Sequence, residues 1–250
     1  MKVEDICSGW LDGTIEAIKD TPLCSLFKKY NSDKKSGGSR GSNHNYSNFY
    51  YAVFKKLITD NPINYFELGL GSRNEEFIGG SSTGAVGGSL FAVNDFLNPV
   101  INDNRYKHGN IFGADIDGTI KIDHPNIKTF QCDQTCPKSI NSLWGNEELQ
   151  NIEFDLIIED GLHTLEANIH FAEHSLHKLK PGGIFIVEDC ACRATILGMY
   201  TKSEMQQLGL VRGAWHHYPT ITEFSEQHDL RLNTVIKTYQ SPIWVMQRNY

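Results

Sequence analysis

The 250-residue sequence has no CxxC pair, no dense Lys/Arg face, no internal repeat and no apolar run of the ~20 residues a transmembrane helix needs. Each absence excludes a class of protein. Cys7, Cys24, Cys132, Cys136, Cys190 and Cys192 lack the spacing of a zinc site or redox motif, so reduced, partly buried thiols are expected. The opening Met1-Lys2-Val3-Glu4-Asp5 is broken by charge and carries no signal-peptide apolar region, so a cytoplasmic, soluble protein with no membrane partner is expected. A formal net charge of −7 gives no general attraction to nucleic acid or to an anionic membrane, which argues against a polyanionic acceptor. The length admits one sizeable α/β domain with lids or insertions and is too short for two full enzymatic domains.

What is present is a series of short apolar runs: Tyr65–Leu70, Ile111–Asp115, Ile127–Phe130, Phe154–Ile158 and Gly183–Val187. Each is bounded by polar residues, Gly or Pro and is apolar on both faces, the pattern of buried parallel strands. Between the last two, Ala167, Ile169, Ala172, Leu176 and Leu179 recur at helical spacing before Lys180-Pro181-Gly182-Gly183, read as a turn. Strand, helix, strand is a parallel crossover unit. Leu232–Tyr239 and Ile243–Gln247 read as a terminal antiparallel hairpin turning at Gln240-Ser241-Pro242. Residues 1–60 form a helical and lid-like segment, with a Gly/Ser-rich loop from Asn31 to Asn43 and a helix from Tyr46 to Leu57. Residues 61–250 form the main domain, a Rossmann-like, mostly parallel α/β sheet with helices on both faces.

The first strand ends in Glu67-Leu68-Gly69-Leu70-Gly71, a loop able to turn sharply and approach a ligand where a Cβ would collide. Asp115 ends the second strand, where an acid accepts hydrogen bonds from the ribose hydroxyls of an adenosine. Asp133 follows the third strand and either accepts from an adenine amino group or makes a local turn or cap. These motifs, with Leu179-Lys180-Pro181-Gly182-Gly183, resemble class I S-adenosylmethionine-dependent methyltransferases. The resemblance implies S-adenosylmethionine as cofactor, with Glu67 ordering its amino-acid end, Gly69 and Gly71 passing close to it and Asp115 holding the ribose. Gly88-Ser89-Leu90 is similar to the start of the next helix in sugar methyltransferases of this type, where Ser89 either caps the helix or touches the cofactor. The third glycine of a G-x-G-x-x-G dinucleotide loop is missing, which opposes a nicotinamide-dependent oxidoreductase.

The fourth strand runs into Glu159-Asp160-Gly161-Leu162-His163 and the fifth into Glu188-Asp189. Adjacent parallel strands would gather Asp160, Glu188 and Asp189 at one carboxyl edge, and so costly a cluster calls for protonation, a cationic side chain or a bound cation. All-oxygen donors select a hard ion such as Mg²⁺. His163, three residues beyond Asp160, is placed to act as a neutral base. Asp-Gly-x-His followed by Glu-Asp resembles the macrolide-sugar and rhamnosyl O-methyltransferases, in which Asp160, Glu188 and Asp189 would match magnesium ligands and His163 the general base. Asn31-Ser32-Asp33-Lys34, His44-Asn45-Tyr46 and Tyr50-Tyr51 resemble that family's N-terminal lid. The resemblance implies a sugar-containing acceptor, a rhamnose-like residue of a glycan or glycosylated natural product, and a homo-oligomer is compatible with it. A catechol-type phenol is the alternative acceptor. Departures from the family are the Gly-rich stretch after Arg73 and the region from Ala191 to Thr222, where Tyr200, Trp215, His216, His217 and Tyr218 suit either a sugar surface or packing.

Overall fold

A computed structural model describes residues 2–11, 21–36, 46–59, 61–76, 84–99, 109–189, 221–236 and 243–250. His44, Asn45, Cys190, Cys192, the Tyr200 and Trp215–Tyr218 cluster and the expected turn at Gln240–Pro242 lie outside them. The described residues fall into two compact units, Met1–Gln131 and Cys132–Tyr250.

The first unit begins with three helices, α1 (Val3–Leu11), α2 (Pro22–Lys29) and α3 (Ser47–Leu57). Helix α2 starts where the chemistry of a helix start is complete: Thr21 accepts the Cys24 N–H at 3.1 Å and Pro22 supplies the fixed φ of the first turn. Helix α3 buries Phe49, Tyr50, Val53 and Phe54, and Phe54 packs against Tyr65 of the first strand. Strands β1 (Asn64–Leu68), β2 (Asn110–Asp115) and β3 (Ile127–Gln131) follow, with α4 (Gly88–Leu97) crossing between β1 and β2. All three strands are parallel, β2 in the middle, and Glu67 pairs with Gly113. Both acid-bearing ends, Leu68 of β1 and Asp115 of β2, therefore stand at one carboxyl edge.

The second unit contains α5 (Pro137–Trp144), β4 (Phe154–Glu159), α6 (Leu165–Ser175), β5 (Leu179–Val187), α7 (Ile221–Gln227), β6 (Leu230–Ile236) and β7 (Ile243–Arg248). Strands β4 and β5 are parallel, and β7 and β6 extend the sheet antiparallel beyond β5, so the expected terminal hairpin pair is present. Its core is an aromatic series, Trp144 against Phe154 and Phe171, and Phe171 against Phe185. The Trp144 indole N–H is satisfied by Ser175 Oγ at 2.9 Å.

Two expectations shift. The helix before β5 ends at Ser175, and a 3₁₀ turn carries the chain to Lys178. Pro181-Gly182, expected to be a turn, lies inside β5 at a register shift opposite Phe154 and Leu156. A bulge accommodates proline in a strand because the missing N–H falls where the ladder is already interrupted. Gln247 Nε2 closes it by donating to the Gly182 carbonyl at 2.7 Å.

The four cysteines within the described residues, Cys7, Cys24, Cys132 and Cys136, are free thiols as expected. Burial pushes Cys7 and Cys132 up to about 12, which leaves them unreactive. Among the described residues, no helix is long and apolar enough to cross a membrane.

Candidate functional site

In the first unit the chain leaves β1 through two residues that only glycine adopts without strain, Gly69 at φ 89° and Gly71 at φ 79°. The loop they make is tied to the end of β2. Leu70 donates its N–H to Asp115 Oδ2 at 2.7 Å, and Ser72 Oγ donates to Asp117 Oδ2 at 2.7 Å. Asp115 Oδ1 also accepts the Asp117 N–H at 3.0 Å. Each Asp115 oxygen has a second lone pair, so the carboxylate can still accept from a ribose diol. Hydrogen bonds from Thr119 and then Ser72 hold the Asp117 carboxyl below the usual carboxylate range. Between these acids Ile116 is 39% exposed, an apolar surface at the mouth of the loop.

Glu67 and Ser89 are joined to each other beneath the loop. Glu67 is buried, and its carboxylate is turned into the protein. Oε2 accepts from the Tyr65 hydroxyl at 2.7 Å, while Oε1 accepts from Ser89 Oγ at 2.7 Å and faces Lys34 Nζ at 3.4 Å. Ser89 is the second residue of α4, whose N-cap is Gly87, so its hydroxyl braces Glu67 instead of capping the helix. The Lys34–Glu67 pair is 2% and 1% exposed, a cation the sequence reading did not supply for Glu67. It fixes the N-terminal segment to the glycine loop, as does the Ala85 N–H donating to the Asn31 carbonyl at 2.9 Å. Part of the expected Gly/Ser loop, Asn31–Ser36, is therefore anchored.

In the second unit, Asp133, expected either to meet an adenine amino group or to make a local turn, makes the turn. Its Oδ1 accepts the Thr135 N–H at 2.9 Å and the Thr135 hydroxyl at 2.6 Å.

The acids after β4 and β5 converge. Ligating atoms of Asp160, His163 and Asp189 all lie within 4.8 Å of one another. His163 Nε2 stands 3.8 Å from Asp160 Oδ1 and 3.9 Å from Asp189 Oδ2. Both His163 (φ 56°) and Asp189 (φ 46°) occupy the left-handed region, which costs a residue with a Cβ about 1–3 kcal/mol and persists only when the surroundings impose it. Glu188 is buried and outside this trio; its N–H continues the ladder to the Glu159 carbonyl at 2.8 Å. The two carboxylates, Asp160 and Asp189, are donors suited to a hard divalent ion, with positions left for water and a substrate oxygen, and the imidazole of His163 stands beside them.

Glu159 was not singled out from the sequence. It is fully buried, and desolvation pushes its carboxyl up from the usual carboxylate range, opposed by hydrogen bonds from Gln134, Gly161 and Asn168 and by nearby His163. The available signal was the doubled acid in Glu159-Asp160 at a strand end, of which one must face the core by alternation.

A glycine loop at one pair of strand ends and an acid–imidazole cluster at another stand on a Rossmann-like α/β chain. Comparison with solved structures makes this more specific. MycE methyltransferase from the mycinamycin biosynthetic pathway, in complex with Mg, SAH and mycinamycin VI, matches with a TM-score of 0.59 at 16% identity, over 92% of this chain and 56% of that one. A MycE structure with Mg and SAH gives 0.60 at 20% identity over the same shares. The fold is thus the class I methyltransferase fold. Among curated proteins, the 8-demethyl-8-alpha-L-rhamnosyl tetracenomycin-C 2'-O-methyltransferase of Streptomyces olivaceus is 27% identical over 173 residues, 68% of this chain. The chain spans 38% of that relative's length. No family model matches the sequence.

Proposed function

We propose that this chain carries an S-adenosylmethionine-dependent O-methyltransferase activity, assisted by Mg²⁺ or another hard divalent cation, on a sugar hydroxyl of a rhamnose-like residue. The observation that carries the reading is the convergence of Asp160, His163 and Asp189 on a class I methyltransferase fold. The likeness to a rhamnosyl 2'-O-methyltransferase supports the acceptor class.

In this reading the loop of Gly69 and Gly71 takes the cofactor, Asp115 accepts from its ribose, and Glu67 with Ser89 holds the loop from beneath. Asp133 contributes toward the adenine through its remaining acceptor capacity. Asp160 and Asp189, with Glu188 next to Asp189 in the chain, would hold the cation. A bound divalent cation would supply Lewis-acid polarisation, which lowers the pKa of a coordinated hydroxyl. His163 takes the hydroxyl proton on Nε2, the nitrogen facing both carboxylates, and those carboxylates stabilise the imidazolium that results. S-adenosylmethionine held at the glycine loop would supply its methyl group in line to the acceptor oxygen, the carbon–sulfur electron pair staying on sulfur as S-adenosylhomocysteine.

The test is S-adenosylhomocysteine formation from S-adenosylmethionine with rhamnosides, other glycosides and catechols, each with Mg²⁺ and with EDTA. Glycoside-dependent product that EDTA abolishes is expected. Metal-independent turnover would overturn the carboxylate assignment, and turnover of catechols alone would overturn the sugar acceptor.

A further inference from the structure

Asp160 and His163 belong to a five-residue link between β4 and α6, and such links are ordinarily mobile. This one is not left to itself. The Gly161 N–H donates to Glu159 Oε1 at 3.0 Å, and the next N–H, of Leu162, donates to Gln134 Oε1 at 2.8 Å. Gln134 Nε2 in turn donates to the same Glu159 oxygen at 2.9 Å, and Asn168 Nδ2 donates to Glu159 Oε2. The orientation of the Gln134 amide is dictated by its neighbours: a carboxylate on one side admits only the NH₂, and a backbone N–H on the other admits only the carbonyl. Glu159 is 0% exposed, Asn168 0% and Gln134 7%, so the side-chain bonds among these three are shielded from bulk water. The Glu159 carbonyl meanwhile accepts the N–H of Glu188, the residue before Asp189. One residue thus ties both rims of the acid–imidazole cluster.

We propose that Gln134 and Glu159 are positioning residues that hold the Asp160–His163 link in the shape needed to bind a divalent cation. The inference rests on the metal-assisted reading above. Neither side chain is among the converging donors; each acts by fixing consecutive backbone amides between Asp160 and His163. Gly161 completes the device, because an added Cβ would run into the Gln134 side-chain carbonyl. That explains glycine at a position whose φ is not in the left-handed region. The link is also closed from its far side, where Thr164 accepts the Ala167 N–H at 3.3 Å and starts α6 immediately after His163.

The test measures Mn²⁺ affinity of the full chain by the electron paramagnetic resonance of free Mn²⁺, with S-adenosylhomocysteine affinity by calorimetry and the melting temperature recorded alongside. Gln134→Met keeps the volume but donates and accepts nothing, and Gly161→Ala displaces the Gln134 carbonyl from a partly exposed position. Both are expected to weaken Mn²⁺ binding by about 10- to 100-fold, the range for groups that orient a ligand, and to leave S-adenosylhomocysteine binding unchanged. Glu159→Gln is expected to bind Mn²⁺ within about threefold of the parent, because the buried Asn168 Oδ1, which has no hydrogen-bond partner among the described residues, can turn to accept from the new NH₂. If Asp160→Asn abolishes Mn²⁺ binding while Gln134→Met and Gly161→Ala bind it like the parent, the positioning role is overturned and the metal reading stands. If the parent itself binds no Mn²⁺, both fall together.

Discussion

Replacing Lys34 with Met tests whether the N-terminal segment is part of the cofactor loop's foundation. The substitution keeps an unbranched, apolar side chain of similar reach and deletes only the ammonium facing Glu67 at 3.4 Å. Both partners are almost wholly excluded from water, so removing one strands the other. Stranding one member of a buried pair costs about 3–5 kcal/mol. Glu67 keeps its hydrogen bonds from Tyr65 and Ser89, which places the cost at the lower end, about 3 kcal/mol. For a chain of this size each kcal/mol moves the melting temperature by about 2–4 °C, so a fall of about 6–12 °C is expected by circular dichroism. The double variant Lys34→Met with Glu67→Gln removes both charges and should recover most of that loss, since a buried pair replaced as a unit is often neutral. A single variant melting within about 2 °C of the parent, or a double variant as unstable as the sum of the two singles, would refute the reasoning.

Three further outcomes follow from the same geometry. His163→Ala should abolish turnover while S-adenosylhomocysteine still binds, because its ring belongs to the second unit's acid cluster and the glycine loop to the first; unchanged turnover would remove it as the base. Gly71→Ala forces a Cβ into φ 79° and should weaken S-adenosylhomocysteine binding at least tenfold by calorimetry; equal affinity would show that the loop does not approach the ligand. Burial lowers the His228 pKa below its ordinary value near 6.5, so its neutral form stabilises the fold above about pH 6.5, and that contribution is lost as pH falls through the lowered folded value. His228→Phe, which keeps a ring against Phe224, should therefore lose less urea resistance than the parent between about pH 7.5 and pH 5, and identical losses would refute the assignment.

The sheet was legible because its strands are buried on both faces. Residues 111–115 and 156–159 are wholly buried in the structure, so the runs that define β2 and β4 could not alternate with polar residues. The acids were legible for a different reason: at the end of a buried strand a carboxylate has no apolar alternative that explains it, and Asp160 and Asp189 do meet. Lys34 and Glu67, by contrast, are 33 positions apart, and no local pattern announces a pair made across that distance. Pro181-Gly182 misled because the same dipeptide serves a turn and a bulge, and only the register with β4 decides between them. Ser89 was open between two roles, and what resolves it is the buried Glu67 oxygen 2.7 Å away, which the sequence does not show.

The left-handed backbone of His163 and Asp189 belongs to what no sequence pattern reveals, and it bears on how the candidate centre is built. A left-handed residue changes the local direction of the chain within one position, and both His163 and Asp189, whose side chains stand 3.9 Å apart, adopt it. Such a conformation relaxes unless something opposes it. Beyond His163, Thr164 caps α6 and fixes the next turn; before it, the Gly161 and Leu162 amides are held by Glu159 and Gln134. The strain at the cluster is therefore sustained by hydrogen bonds made in the buried layer beneath it. A buried carboxylate such as Glu159, costly to desolvate and useless to a sheet on its own account, has its physical explanation in that arrangement.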